Sequence, residues 1–303
     1  MARPSERVLI TGASGLTGRL LLQRLQTEGV EVFAMRRSPK RAWEVPGDLN
    51  DAQSLHDAVQ QVQPTHVLHL GGITFPAHAD QTEIYQTNVV GTAALLTALK
   101  QHAEPVAVIL PSSATVYAPP LDDTPIVESA PLLPVSHYAV SKLTLEHMAR
   151  LFGGDMPIVV TRPFNYTGAG QPSQFLIPKI VDHFVRGERV IELGNLDLYR
   201  DFSDVRTVVD AYMRMLVAPL AGDITNLCSG RRIHLRSILS DMAQIAGYEI
   251  EVKVNPAFAR AGEPPVIVGS TRHMDEVLGP LRSPPLVETL AWMYESQLAA
   301  AKA

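Results

Sequence analysis

The feature that most limits what this chain can become is an alternation over its first half. Short apolar runs take turns there with longer helical patterns. Residues 8–11, 30–35, 66–70, 106–110 and 158–161 are rich in Val, Ile and Leu and read as strands. Between them, 16–28, 52–62, 84–102 and about 135–151 carry apolar residues at helical spacing. A β-α-β-α rhythm of this kind predicts an α/β fold. Its expected form is a Rossmann-type, doubly wound parallel sheet with helices on both faces.

After position 161 the rhythm breaks at Pro163, Gly168, Gly170, Pro172 and Pro178. Segments 205–217 and 223–228 read as a return to the main sheet. The expected organisation is a larger domain over 1–165 plus about 201–230. A smaller, discontinuous α/β lobe is expected from 166–200 and 231–303. The formal charge of −5 argues against a nucleic-acid binder, which would present a basic surface. The single cysteine, Cys228, lies in an apolar run and reads as a buried thiol. One cysteine forms no internal disulfide, residues 1–7 lack the apolar stretch of a signal peptide, and no run approaches the ~20 apolar residues of a membrane span. These features predict a cytoplasmic protein. His66 and His69, three apart on one strand, point to opposite faces, so no metal site is expected.

The first strand leads into Thr11-Gly12-Ala13-Ser14-Gly15-Leu16-Thr17-Gly18. A glycine-rich strand-to-helix turn lets backbone approach a pyrophosphate, and the helix N-terminus faces its charge. The spacing is GxxGxxG. The second strand ends in Arg36-Arg37 with no acidic residue in that run. An acid there would favour the ribose 2′-hydroxyl of NAD. Guanidinium groups suit a 2′-phosphate, so the expected cofactor is NADP(H). Asp48, followed by Leu49, offers a carboxylate to the adenine amino group, and Leu70 closes the strand at 66–70. Tyr138 and Lys142 stand four apart on a helix, hence on one face. An ammonium beside a phenol favours phenolate. Ser113 follows the strand at 106–110, where parallel sheets bind ligands.

Together these residues resemble the extended short-chain dehydrogenase/reductases that act on nucleotide sugars. The resemblance spans nearly the whole chain and is carried by Gly12, Gly15, Gly18, Asp48, Asn88 in Asn-Val-Val-Gly-Thr, Ser113, Tyr138 and Lys142. It implies that Ser113, Tyr138 and Lys142 are the catalytic set, with Asn88 supporting their geometry. Arg162–Gln171 and Arg200–Val205 are similar to segments of the GDP-mannose branch. Residues 260–263 match its late Arg-Pro-x-Glu element, with alanine for proline. That likeness implies a GDP-sugar substrate met by Asn165, Arg200, Arg260 and Glu263, reduction of the C4 ketone of a GDP-4-keto-6-deoxy-hexose, and a homodimer. Dehydratases of the family place a glutamate two residues after the active-site Ser/Thr. Here that position is Thr115, a poor base at neutral pH. An epimerase, another ketosugar reductase and a non-catalytic nucleotide binder are the competing readings. A pure binder needs no phenolate.

Overall fold

A computed structural model describes residues 6–75, 78–218, 220–255, 258 and 263–301. Strand β1 (Arg7–Thr11) passes into helix α1 (Leu16–Thr27), then β2 (Glu31–Arg36), β3 (Glu44–Pro46), α2 (Ala52–Val62) and β4 (His66–His69). A helical stretch follows as α3 (Gln81–Tyr85), a π turn (Gln86–Val90) and α4 (Gly91–Lys100). Next come β5 (Ala107–Pro111), a 3-10 turn (Ala114–Val116), α5 (His137–Phe152), β6 (Ile158–Pro163) and β7 (Asn165–Thr167). The remainder runs α6 (Leu176–Val185), β8 (Val190–Leu193), β9 (Tyr199–Arg200), β10 (Phe202–Asp204), α7 (Val205–Met215), β11 (Ile224–Leu227), β12 (Ile233–His234), α8 (Leu235–Ala246), β13 (Glu251–Val254), β14 (Val266–Ile267), α9 (Arg272–Leu278) and α10 (Leu286–Ala301).

Seven strands form one sheet in the order β11-β6-β5-β4-β1-β2-β3, every neighbouring pair parallel. The chain winds outward from β1 to β3, then returns to place β4 on the other side of β1. That reversal opens a crevice at the strands' C-terminal ends, between β1 and β4. Successive side chains of β1 serve opposite cores. Val8 and Ile10 join Leu21, Leu25, Val208 and Tyr212 under α1 and α7. Leu9 joins Leu55, Val59, Leu95, Leu99 and Leu145 under α2, α4 and α5. Each fully buried leucine contributes roughly 1.5–3 kcal/mol, so the crevice rests on a rigid floor. A third core, including Ile177, Phe184, Leu193, Ile238, Leu290 and Met293, holds α6, β8, α8 and α10 together as a smaller lobe.

Three local outcomes differ from the sequence reading. The single helix expected over 84–102 starts at Gln81, ends at Lys100 and carries the π turn in its middle. The edge strand β3 was not foreseen, being three residues long and ending in proline. β10 pairs with β7 in a separate two-stranded sheet, while β11 joins the main sheet beside β6. Among the described residues, no helix is long and apolar enough to cross a membrane.

Candidate active site

The crevice is set by crowding at the exits of β1 and β4. Gly12 has φ of +69°, and a Cβ there would sit 2.5 Å from the Leu70 carbonyl carbon and oxygen. Only glycine lets these exits cross. The amide of Gly15 donates to the Gly12 carbonyl at 3.0 Å. Gly15 caps α1 without a side-chain hydrogen bond, and the first turn holds no acid. The helix therefore starts with amides available to an anion, and a side chain at Gly12 would collide with the Leu70–Gly71 backbone that borders the turn. This fits a dinucleotide pyrophosphate. Ser14 and Gly15 are exposed at the turn, and Leu16 is half-buried.

Beneath the turn runs a chain of hydrogen bonds with one permitted direction. The Gly71 amide donates to Thr11 Oγ1 at 2.8 Å, and the Thr92 hydroxyl donates to the Asn88 carbonyl at 2.6 Å. Between them, His69 lies 2.7 Å from Thr11 through Nδ1 and 2.8 Å from Thr92 through Nε2. Thr92 has already spent its proton, so Nε2 must carry the imidazole hydrogen and Nδ1 must accept from Thr11. Burial, reinforced by the Lys142 charge, pushes the His69 pKa down to about 3. The ring is held neutral.

At the end of β2, Ala13, Arg19, Arg36, Ser38, Lys40 and Arg41 line a cavity of about 600 Å³. Arg36 is inside it. Arg37 is exposed and not among its lining residues. The sequence reading found no acid in the β2 run, but β3 brings Glu44 alongside: Arg36 Nε lies 3.4 Å from its Oε1. The same carboxylate accepts from the amides of Lys40, at 2.6 Å, and Arg41, at 3.2 Å. Glu44 thus pins the loop that presents the cations. Asp48 accepts from the Asn50 amide at 3.0 Å, and Leu49 packs so tightly on α4 that a Cβ at Gly91 would lie 2.6 Å from its carbonyl oxygen.

Ser113, Tyr138 and Lys142 come together where β5 ends. Ser136 caps α5 by accepting from the Ala139 amide at 3.1 Å. One turn apart on that helix, Tyr138 and Lys142 are both buried at 7% exposure. Lys142 Nζ donates to the Pro111 carbonyl at 3.0 Å and lies 5.9 Å from the Tyr138 ring centroid. Burial lowers the lysine pKa to about 8. Burial also raises the phenol of Tyr138 above its ordinary value. The influence drawing it down is the Ser113 hydroxyl. The spacing had pointed to Lys142 for that task; in this structure its ammonium is engaged by Pro111 instead.

Asn88 sits in the π turn. Its Oδ1 accepts from the Ile73 amide at 2.8 Å, and its Nδ2 donates to the Ile73 carbonyl at 3.0 Å and to Ser141 Oγ at 3.2 Å. Ser141 in turn donates to the Tyr138 carbonyl at 2.7 Å. One amide side chain therefore ties the loop after β4 to the helix bearing Tyr138. π turns recur at sites of this kind. A second tie was not foreseen. Arg162 on β6, 2% exposed, grips Glu146 on α5 through two hydrogen bonds of 2.9 and 2.7 Å, and Ser112 donates to the same carboxylate at 2.6 Å.

The residues expected to meet substrate are arranged differently. Asn165 donates to the Asp201 carbonyl at 3.1 Å. Arg200 and Glu263, assigned separately to diphosphate and nucleoside, pair with each other at 2.7 Å. Arg200 also donates to the carbonyls of Tyr199 at 2.7 Å and Pro264 at 3.0 Å. Its guanidinium thus serves as a clasp on the 263–265 segment. Arg260 lies outside the described residues. Tyr166, which the sequence did not single out, accepts from the Thr17 hydroxyl at 3.1 Å and so joins β7 to the first turn of α1.

Comparison with known proteins places this geometry. Residues 8–228 match the NAD dependent epimerase/dehydratase family. The chain is 30% identical, over 90% of its length and 91% of the relative's, to GDP-6-deoxy-D-talose 4-dehydrogenase of Aggregatibacter actinomycetemcomitans. It is 32% identical to GDP-6-deoxy-D-mannose reductase of Pseudomonas aeruginosa, over 91% of each chain. The solved structure of RMD from Pseudomonas aeruginosa, complexed with NADPH, superimposes with a TM-score of 0.88 at 29% identity, covering 99% of this chain and all of that one.

Proposed function

The chain belongs to the NAD dependent epimerase/dehydratase family, and from that premise we propose that it reduces the C4 ketone of GDP-4-dehydro-6-deoxy-D-mannose to GDP-6-deoxy-D-mannose (GDP-D-rhamnose) with NADPH. The observation carrying this reading is the gathering of Ser113, Tyr138 and Lys142 at the end of β5, beside a glycine turn that fits a dinucleotide. The sugar class comes from the two relatives, both named for GDP-6-deoxy-hexoses. NADPH bound over Gly12–Gly18 would supply the hydride. Arg36, Lys40 and Arg41 offer cationic partners to a 2′-phosphate at the cavity they line. Tyr138 gives its proton to the oxygen of the reduced carbonyl, Ser113 hydrogen-bonds the reacting oxygens, and Lys142 holds the ribose of the cofactor. The second lobe receives the GDP moiety beside the Arg200–Glu263 clasp, and the resemblance extends to a homodimer.

The purified protein, given NADPH and the GDP-ketosugar, is expected to consume one NADPH per sugar and to yield GDP-6-deoxy-D-mannose by proton NMR. Failure to oxidise NADPH overturns the reading, as does interconversion of two nucleotide sugars without net NADPH loss, which is the mark of an epimerase. The talose relative favours a second reading within the same chemistry. GDP-6-deoxy-D-talose is the C4 epimer, formed if hydride reaches the other face of the ketone, and the same NMR spectrum distinguishes the two.

A further inference from the structure

We infer that Thr115 is a positioning residue that dictates which way the Ser113 hydroxyl points, and through it where Tyr138 sends its proton. The inference rests on the proposed function and deepens it. Ser113 caps the 3-10 turn that follows β5. Its Oγ accepts from the Thr115 amide at 3.2 Å and from the Thr115 hydroxyl at 2.9 Å. A hydroxyl has two acceptor lone pairs and one proton. With both lone pairs occupied by the same residue, Ser113 has only its O–H left, and it can act toward its neighbours only as a donor.

That neighbour is the phenol of Tyr138, the group Ser113 makes more acidic. A Ser113 that donates to the Tyr138 oxygen leaves the phenolic proton free for the substrate. It also remains to stabilise the phenolate once that proton has gone. Without the Thr115 hydroxyl, one lone pair of Ser113 reopens. Ser113 can then accept from Tyr138, which turns the phenolic proton inward and withdraws support from the phenolate. The other titratable groups facing Tyr138 are Lys142 on its own helix, Tyr166 on β7 and Tyr212 on α7; His69, behind Lys142, is neutral. The hydrogen bonds of the Thr115 amide and hydroxyl both go to Ser113, so a substitution there acts on the serine. Thr115 is exposed, and Thr115→Val keeps the shape and leaves no hole in the core.

The test compares wild type, Thr115→Val, Thr115→Ser and Tyr138→Phe in reduction of the GDP-ketosugar by NADPH across pH. One neutral hydrogen bond corresponds to a factor of roughly 2–13, so Thr115→Val is expected to lower kcat by about that much while KM for the sugar and Kd for NADPH stay within about twofold. The phenol must be protonated to act as the acid, so activity falls as pH rises through its pKa. A less stabilised phenolate moves that alkaline limb upward, by about half a pH unit to one. Thr115→Ser is expected to restore both kcat and the limb. A raised KM with unchanged kcat would make Thr115 a sugar contact and overturn the inference. So would a lower kcat with an unmoved limb, or failure of serine to rescue. If Tyr138→Phe is inactive while Thr115→Val behaves as wild type, only this inference fails. If Tyr138→Phe is as active as wild type, the underlying assignment of the site fails with it.

Discussion

The two ends of the molecule that would meet ligand are built on opposite principles. At the cofactor end, strands of one parallel sheet converge, and the polar groups beneath them are buried and matched: Gly71 to Thr11, His69, Thr92 and Asn88, and Arg162 to Glu146 and Ser112. At the substrate end, two-residue strands from distant segments meet, and an ion pair between the buried Arg200 and the partly exposed Glu263 holds them. A buried, fully paired network has no alternative arrangement of similar energy. A short clasp near solvent has several. On the proposed function, the chemistry would sit in the more tightly tied part of the fold, while the sugar would be met by the looser one.

The comparison breaks most visibly if the buried tie is cut. Arg162→Met leaves the Glu146 carboxylate without its partner in a site 1% exposed. The expected loss is about 3–5 kcal/mol of unfolding free energy, read from urea denaturation, with the double variant Arg162→Met/Glu146→Gln recovering part of it. A loss below about 1 kcal/mol would mean the cofactor end is no more rigid than the other.

The second test uses acid. His69 binds a proton in the unfolded chain near its ordinary value of 6.5 but resists it in the folded protein down to about 3. The stability due to the neutral ring is present above pH 6.5. It is lost as pH falls from there toward 3, by at most about 1.4 kcal/mol per pH unit. His69→Gln should flatten that slope between pH 7 and 5, and an unchanged slope would remove His69 from the account. The smallest effect belongs to the clasp. Glu263→Ala should cost about 1 kcal/mol or less, because Glu263 is partly exposed and Arg200 keeps the Tyr199 and Pro264 carbonyls. It should change KM for the GDP-sugar severalfold and leave the Kd for NADPH alone. Global destabilisation on the scale of Arg162→Met would erase the distinction between the ends.

The same divide separates what could be read in the sequence from what could not. The strand-helix rhythm, the glycine turn and the Tyr138–Lys142 spacing are signals written within a few residues, and each corresponds to an element of the structure. β3 escaped because Glu44-Val45-Pro46 is too short to show a period, and with it went the carboxylate that pairs with Arg36. The ties that hold the site join residues far apart in the chain: Thr11 with His69, Glu146 with Arg162, Arg200 with Glu263. No periodicity marks such pairs, since burial decides them and burial follows from the whole fold. Tyr166 and Thr17, 149 positions apart, are of the same kind. Thr115 was legible as a residue that is not glutamate, but its hold on Ser113 depends on the 3-10 turn folding its hydroxyl back.

The π turn at Gln86–Val90 carries a consequence for how sequences of this kind tolerate change in length. The turn accommodates one residue more than an α-helix would, and it does so where Asn88 reaches Ile73 and Ser141. Deleting any one residue of 86–90 would not shorten a loop. It would relax the stretch into ordinary α-helix and leave the turns beyond it in phase. Leu95, Leu96 and Leu99 would stay on the core, while the residues of the turn, Asn88 among them, would face different neighbours. A gap at this point in an alignment therefore marks the loss of the bulge and not a change of helical phase, and a homologue bearing one would keep its α4 face but need another tie to the loop after β4.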